Sequence, residues 1–521
     1  MPGSLSLRND PQFGVDSRWS WISAFFCSWV LFLAMATPRV TGMLFYGVLE
    51  TFRVSRQEAS WSVALAGTVL VLAGPIAGAL CQRFSCRTIL IVCSPLAGIG
   101  ASLCYLAESV TFITVSFGIL LGCALSGMYV AANVLVAQHF EERRAVACSL
   151  VYTVSGLNNV VLPPLVEFLQ TTYGVRGAFL LYGAILLNAI PPIIILRSPP
   201  WLTKSKHAPK MIEPGIDDAS NVTRVSSAGS GENGATTDLS LKSSSYSQTE
   251  SECRHSASPS ISTVAISSRI CLCEDEDLEK VSRAQKVLSC LRLGPTAKQF
   301  LTWSFLVNGL SFAAVFFTAG VFVLIPADLA GDRGLKPSQS VYVLQAFSTA
   351  DIVFRAVVGV AIDYRILSIE SAMLLGFVVQ GAAYEWLVWT AALPPMIAAA
   401  FFMGATCGSR LSLQAPALVQ DFGISTLPTM MGGVSFCAGV SLLARPVLIG
   451  YYRDTLGNYN GLLHSMAALN AFFVCMWTAK LIVKRITALK MQAAENKETS
   501  RTDLQHSGTD AKRSGESSAA A

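Results

Sequence analysis

The sequence predicts an all-α polytopic membrane protein: twelve transmembrane helices in two six-helix bundles. Three observations carry this. Of 521 residues, 52% are hydrophobic and only 14% charged, with a mean hydropathy of +0.50, whereas roughly a quarter of a soluble chain is charged. The apolar residues fall in separated blocks close to the ~20 residues that a helix needs to cross a bilayer. These blocks divide six and six around one long polar segment.

In chain order, residues 1–18 are polar and carry Asp10 and Asp16, so they do not read as a cleavable signal peptide and are taken as an N-terminal arm. Apolar runs at 21–45, 61–81, 88–107, 111–137, 145–169 and 177–196 make the first bundle, 19–196. The segment 197–299 is rich in Ser, Thr and Gly, with stretches such as 226–231 and 243–248, and has an acidic cluster from Glu274 to Asp277. It offers too little apolar surface to offset chain entropy, which predicts a disordered linker with a short amphipathic helix near 277–291. Runs at 300–325, 339–362, 367–392, 395–419, 429–451 and 461–483 make the second bundle, 300–483, followed by a tail, 484–521, also expected to be disordered. Without both termini and the linker, 362 residues remain, about 30 for each crossing and its turn. No soluble enzyme domain fits in that space.

Lys and Arg near the span ends set the orientation. Arg197, Lys204, Lys206 and Lys210 follow span six, Lys286, Arg292 and Lys298 precede span seven, and Lys484, Arg485 and Lys490 follow span twelve. Both termini and the linker are therefore expected in the cytosol, although Arg53, Arg56, Arg333 and Lys336 then lie outside. Basic helix ends account for the net charge of +5, and no basic stripe interleaved with aromatics points to a nucleic acid. Most of the fourteen cysteines lie in apolar runs as small buried residues. Cys253, Cys271, Cys273 and Cys290 of the linker lack zinc-site spacing and leave palmitoylation open. None of the five histidines has a triad or metal partner at motif spacing, so neither an enzyme nor a cofactor is expected.

An internal repeat joins the halves. Pro163 precedes Thr172-Tyr173-Gly174, and Pro446 precedes Thr455-Leu456-Gly457, both in the form P-x8-T-x-G and six spans apart. The turn after span two, from Gly78 to Arg83 and Arg87, likewise matches the turn after span eight, from Gly359 to Asp363 and Arg365. Parallel six-helix repeats about an axis along the membrane normal mark the major facilitator architecture.

Asp16-Ser17-Arg18-Trp19-Ser20-Trp21 resembles the D-G-G-W-G-W opening of the monocarboxylate transporter family. His139 to Ser149 is similar to the family's Y-F-x-K-R-R-x-L-A-x-G, keeping Phe140, Arg143, Arg144 and Ala147, with Glu142 in place of the Lys. Glu58 to Trp61, Gly174 to Phe179, and the stretch from Pro416 through Asp421 to Gly457-Asn458-Tyr459 extend the resemblance over nearly all the membrane region.

Charged residues inside spans are functional candidates, because a charge near the bilayer centre costs about 2.5–3.5 kcal/mol on insertion scales. Asp351 and Arg355 of span eight share one helix face at i and i+4 and match the family's Asp and Arg; a helix-packing pair is the alternative. Arg39, after Pro38, falls where the resemblance implies a basic residue, as a carboxylate clamp or a snorkelling side chain. Arg410 in span ten has no family counterpart, and binding an anionic substrate or pairing with Asp351 or Glu385 are equal readings. Arg83, Arg87, Arg143, Arg144, Asp363 and Arg365 fall on cytoplasmic turns, as inter-helix clasps of an inner gate or as ordinary basic helix ends.

The resemblance implies a plasma-membrane secondary transporter of small organic monocarboxylates working by alternating access, with proton symport the family default. Arg355 would balance the substrate carboxylate and Asp351 would be the proton-sensitive partner. A facilitator for aromatic amino acids or other amphipathic solutes is the runner-up, and a non-transporting membrane sensor or scaffold is a third reading. The resemblance also implies an accessory single-pass glycoprotein in some members, whose contact residues are not recognisable in this sequence.

Overall fold

A computed structural model describes residue 8 and residues 10–199, 201, 298–336 and 339–518; every regular element among them is helical. The linker's expected helix, its cysteines and its acidic cluster lie outside the described residues. Nine runs are long and apolar enough to cross a membrane, and two bent pairs bring eleven. The 52-residue run Arg144–Ile195 would extend about 78 Å, more than twice a hydrocarbon core of ~30 Å. It breaks at Gly174, where φ is 70°, and so makes two crossings, which brings the total to twelve.

Span one is Arg18–Phe52, interrupted at Met35 and Ala36; span two joins Trp61–Leu72 to Gly74–Arg83 through a 46° bend. Cys86–Leu106 and Val110–His139 follow as spans three and four, and Arg144–Ile195 supplies spans five and six. The second half runs Trp303–Leu324, Ser340–Asp363 and Ile369–Trp389 as spans seven to nine. Span ten joins Leu393–Ser412 to Gln414–Phe422 at 41°, and Leu427–Thr455 and Asn460–Gln492 complete the set. Helix starts obey local chemistry: Ser17, Ser85, Thr302 and Ser368 each accept a first-turn N–H, and Ser55 with Glu58 forms a capping box. Pro75, Pro394 and Pro428 sit in first turns, where a missing N–H costs nothing.

The tail departs from expectation. The last helix runs from Asn460 to Ser518, where disorder was expected from 484. Residues 484–498 explain the continuation, since Lys, Arg, Ala, Leu, Met, Gln and Glu dominate there and all propagate a helix well.

The repeat is visible in the backbone. Gly174 and Gly457, the last residues of the two P-x8-T-x-G motifs, both have φ 70°, the left-handed turn that glycine enters without a Cβ clash. Gly78 and Gly359 are also equivalent. A Cβ on Gly78 would lie 2.4 Å from the carbonyl oxygen of Pro428, and one on Gly359 would lie 2.5 Å from Cβ of Ser149. Each glycine thus lets its half touch the other: span two against eleven, and span eight against five. Both contacts lie at the end where the chain enters span one and leaves span twelve, here called the inner end.

Large apolar side chains such as Phe25, Val92, Leu106, Phe168, Ile194, Val447 and Phe472 are exposed around the bundle. In a chain of this composition that surface is the lipid contact, because every helix satisfies its own backbone there.

Candidate functional site

Asp351 and Arg355 lie one turn apart on Ser340–Asp363 and are 2% and 5% exposed. Arg355 Nη2 donates to Asp351 Oδ2 at 2.6 Å, and Nη1 donates to the Tyr152 carbonyl at 2.9 Å. The second bond crosses from the C-terminal half to span five of the N-terminal half. Span ten comes close enough to wall the pair in because Gly408 has no side chain; a Cβ there would stand 2.1 Å from the Asp351 carbonyl oxygen. Asp351 Oδ1 and Arg355 Nε remain buried without hydrogen-bond partners, so the pair keeps polar capacity in reserve.

Arg39 faces this pair from the other half. It follows Pro38 directly after the interruption of span one, and broken helices near the midplane are where transporters place their ligands. The Thr37 and Tyr182 hydroxyls, 2.8 Å apart, hold the start of the second piece against span six. Arg39 is exposed, yet Asp351, Arg355 and Cys407 of the other half are within its electrostatic range. Arg39 is thus accessible and its guanidinium has no hydrogen-bond partner among the described residues, whereas Arg355 is buried and paired.

Arg410 sits elsewhere. It is 1% exposed, inside the C-terminal bundle. Its Nε donates to the Thr406 carbonyl at 2.9 Å, its Nη2 to Gln380 Oε1, and its guanidinium carbon stands 4.4 Å from the Phe377 ring centroid. It hydrogen-bonds neither Asp351 nor Glu385; the latter is engaged by Trp389 and His464.

At the inner end, Asp363 accepts from the backbone N–H groups of Ala145 at 3.3 Å and Val146 at 2.7 Å. A carboxylate of span eight thus caps span five, satisfying orphan donors and complementing the helix dipole. Arg144 Nε donates to the carbonyls of Phe140 and Ala137, closing the end of span four, and Phe140 is buried edge-on against Trp21. Arg87 donates to the Ile194 carbonyl of span six, within its own half. Arg83, Arg143 and Arg365 are exposed, and Arg365 ends its helix at φ 58°.

A family model described as Major Facilitator Superfamily matches residues 21–409. The chain belongs to the Major Facilitator Superfamily. This is a family of transporters and not of enzymes. The protein is also related to proteins named as monocarboxylate transporters. It is 23% identical to monocarboxylate transporter 12 of Xenopus laevis over 87% of this chain and 86% of that one. To monocarboxylate transporter 9 of Pongo abelii it is 22% identical, over 87% and 90%. Among solved structures, the proton:xylose symporter XylE bound to 6-bromo-6-deoxy-D-glucose aligns with a TM-score of 0.56 at 11% identity, covering 88% of this chain and 96% of that one. This last likeness bears on the fold.

In this major facilitator protein, three further residues make contacts that their place in the sequence does not reveal. Asp16 lies in the opening motif, and its carboxylate accepts from the N–H groups of Glu141, Glu142 and Arg143, which anchors the loop carrying the second motif. That two motifs 125 residues apart serve one contact was not visible in either. Tyr152 supplies the carbonyl for Arg355, and its hydroxyl meets that of Tyr129 at 3.0 Å. Arg445 of span eleven leans on Gly320 of span seven; as an intramembrane Arg it met the criterion that singled out Arg410.

Proposed function

We propose that this protein is a secondary transporter that moves small organic monocarboxylates across the plasma membrane by alternating access, with its termini in the cytosol. The observation that carries the reading is the placement of Arg39 on one half within electrostatic range of the Asp351–Arg355 pair on the other. An anion between them binds a guanidinium that is exposed and has no hydrogen-bond partner among the described residues, and it competes with Asp351 for Arg355. Charge-assisted, bidentate contacts of this kind suit a carboxylate. The names of the relatives point to the same substrate class.

The places where the halves touch support alternating access. Contacts of Gly78, Gly359 and Asp363 join the halves at the inner end, while Arg39 stays accessible. Rocking about the site would exchange the two. Arg39 cannot release a proton at physiological pH, so any proton link rests on Asp351.

Uptake of a panel of labelled monocarboxylates, amino acids and amphipathic hormones into proteoliposomes tests the reading. A monocarboxylate should accumulate above protein-free controls, and Asp351→Asn should reduce its flux at least ten-fold with reconstitution unchanged. Wild-type flux in that variant returns the pair to a packing role. A panel without any monocarboxylate uptake overturns the assignment.

A further inference from the structure

Span eleven carries an intramembrane cation that the proposed transport site does not use. Arg445 lies ten residues before Thr455, where the span ends, about 15 Å along the helix. It is half-buried and leans on Gly320 of span seven, where a Cβ would stand 2.5 Å from Nη1. Its Nε is sealed without a partner. The two terminal nitrogens are not sealed, and among the described residues no carboxylate or carbonyl engages them.

Helix register says which way this charge points. Leu427, Met431, Val434, Ala438 and Arg445 follow one another at helical spacing on one face. The first four are fully buried and belong to the same apolar core as Leu31, Leu70 and Val134 of the first half. Phe436, Val440, Leu443 and Val447, on the opposite face, are exposed as lipid contacts. Arg445 therefore looks into the molecule and away from the hydrocarbon. Span eleven touches span two at Gly439, where a Cβ would meet Leu72 at 2.8 Å. Arg445 is six residues, about 9 Å, farther toward the outer end, and there the buried stripe becomes accessible.

The fold does not demand a cation at this position. Arg445 precedes Pro446 as Leu162 precedes Pro163 in the P-x8-T-x-G repeat, and Leu162 is 2% exposed. The equivalent helix of the first half is thus packed with an aliphatic side chain. An intramembrane charge without a partner is costly and marks a solute pathway. A guanidinium with both terminal nitrogens free presents the fork that fits a carboxylate.

We propose that Arg445 is a second binding residue for the organic anion, taking its carboxylate at the outer mouth before Arg39 receives it. The inference rests on the reading of the cargo as an organic monocarboxylate. One accessible charge holds the anion weakly and in a salt-dependent way, so Arg445 acts on capture and not on the rocking of the halves.

The first measurement needs no transport. The full chain in lipid nanodiscs is treated with the water-soluble arginine reagent 4-hydroxyphenylglyoxal, and the modified fraction of each arginine is read by mass spectrometry of its peptide. Arg445 should react at least ten-fold faster than Arg410, which is 1% exposed. Sodium benzoate should slow that reaction at least three-fold relative to sodium chloride of equal ionic strength, in the unmodified protein and in Arg39→Gln alike. In proteoliposomes, Arg445→Gln should raise the Km for a transported monocarboxylate at least five-fold with Vmax within two-fold, and should flatten the rise of Km with ionic strength. Arg445→Lys should restore both. Arg445→Leu, which installs the residue of the repeat, should melt no lower than the unmodified protein. An Arg445 as unreactive as Arg410 would place it against lipid or protein and overturn the proposal, as would a reaction that benzoate leaves unchanged or an unchanged Km in Arg445→Gln. Absence of any monocarboxylate uptake by the unmodified protein would remove the proposed cargo, while the labelling still decides whether Arg445 binds a carboxylate.

Discussion

Asp363, the last residue of span eight, accepts a hydrogen bond from the backbone N–H of Val146 at 2.7 Å, in the first turn of span five. The two residues belong to different halves. Six-helix bundles that rock against each other need an inner contact that forms and breaks in each cycle, and a carboxylate on a helix N-terminus does both without burying a permanent ion pair. Such a contact contributes about 0.3–1 kcal/mol when exposed and up to ~2 kcal/mol when partly buried.

Asp363→Asn removes the charge but keeps an acceptor. At about 1 kcal/mol lost, the inner-closed state should fall roughly five-fold relative to the open one. Cys148 reports this, since it is 3% exposed next to the contact. Its alkylation rate, read by mass spectrometry of its peptide, should rise by a similar factor. An unchanged rate would mean that the backbone cap does not hold the gate.

Gly78 offers a steric test of the opposite edge. A Cβ there meets the Pro428 carbonyl oxygen at 2.4 Å, and backbone cannot step aside as a flexible side chain does. Gly78→Ala should cost the closed state roughly 1–3 kcal/mol and lower uptake at least five-fold, with surface expression intact. Wild-type uptake would show that spans two and eleven separate throughout the cycle.

The permanent charge of Arg39 shapes the pH response. A guanidinium stays cationic across the physiological range, so anion binding should persist at neutral pH. Uptake should then change only a few-fold between acidic and neutral external pH. Arg39→Lys should steepen the dependence if burial lowers the lysine pKa. Initial rates against external pH, with membrane potential clamped by ionophore, decide between them. Steep acid stimulation in the unmodified protein would make it an ordinary proton symporter despite Arg39.

Asn221-Val222-Thr223 in the linker is a glycosylation sequon. The proposed orientation keeps the linker in the cytosol, away from the glycosylating machinery. Expression in a secretory cell followed by glycosidase treatment and mass spectrometry should find Asn221 bare. A glycan there would reverse the orientation.

The twelve crossings, the break after Thr172-Tyr173 and the equivalence of Gly78 with Gly359 were legible in the residues alone, because span length, turn chemistry and repeats are properties of short stretches of chain. The Asp351–Arg355 pair was legible too, since four residues on a helix always share a face. The tail beyond 484 was misjudged: low hydropathy marks the end of a membrane span, whereas a helix stops only where its backbone propensity fails. The tertiary structure alone decided where the other charges point. Asp363 meets span five across 217 residues of sequence, Arg39 faces a pair more than 300 residues away, and Arg410 turns into its own bundle against Phe377. No periodicity distinguishes a helix face that looks toward the cavity from one that looks toward a neighbouring helix. That choice is made when six helices pack, and it is set by side-chain volume at points such as Gly408, where the absence of one methyl group lets spans eight and ten close around the site.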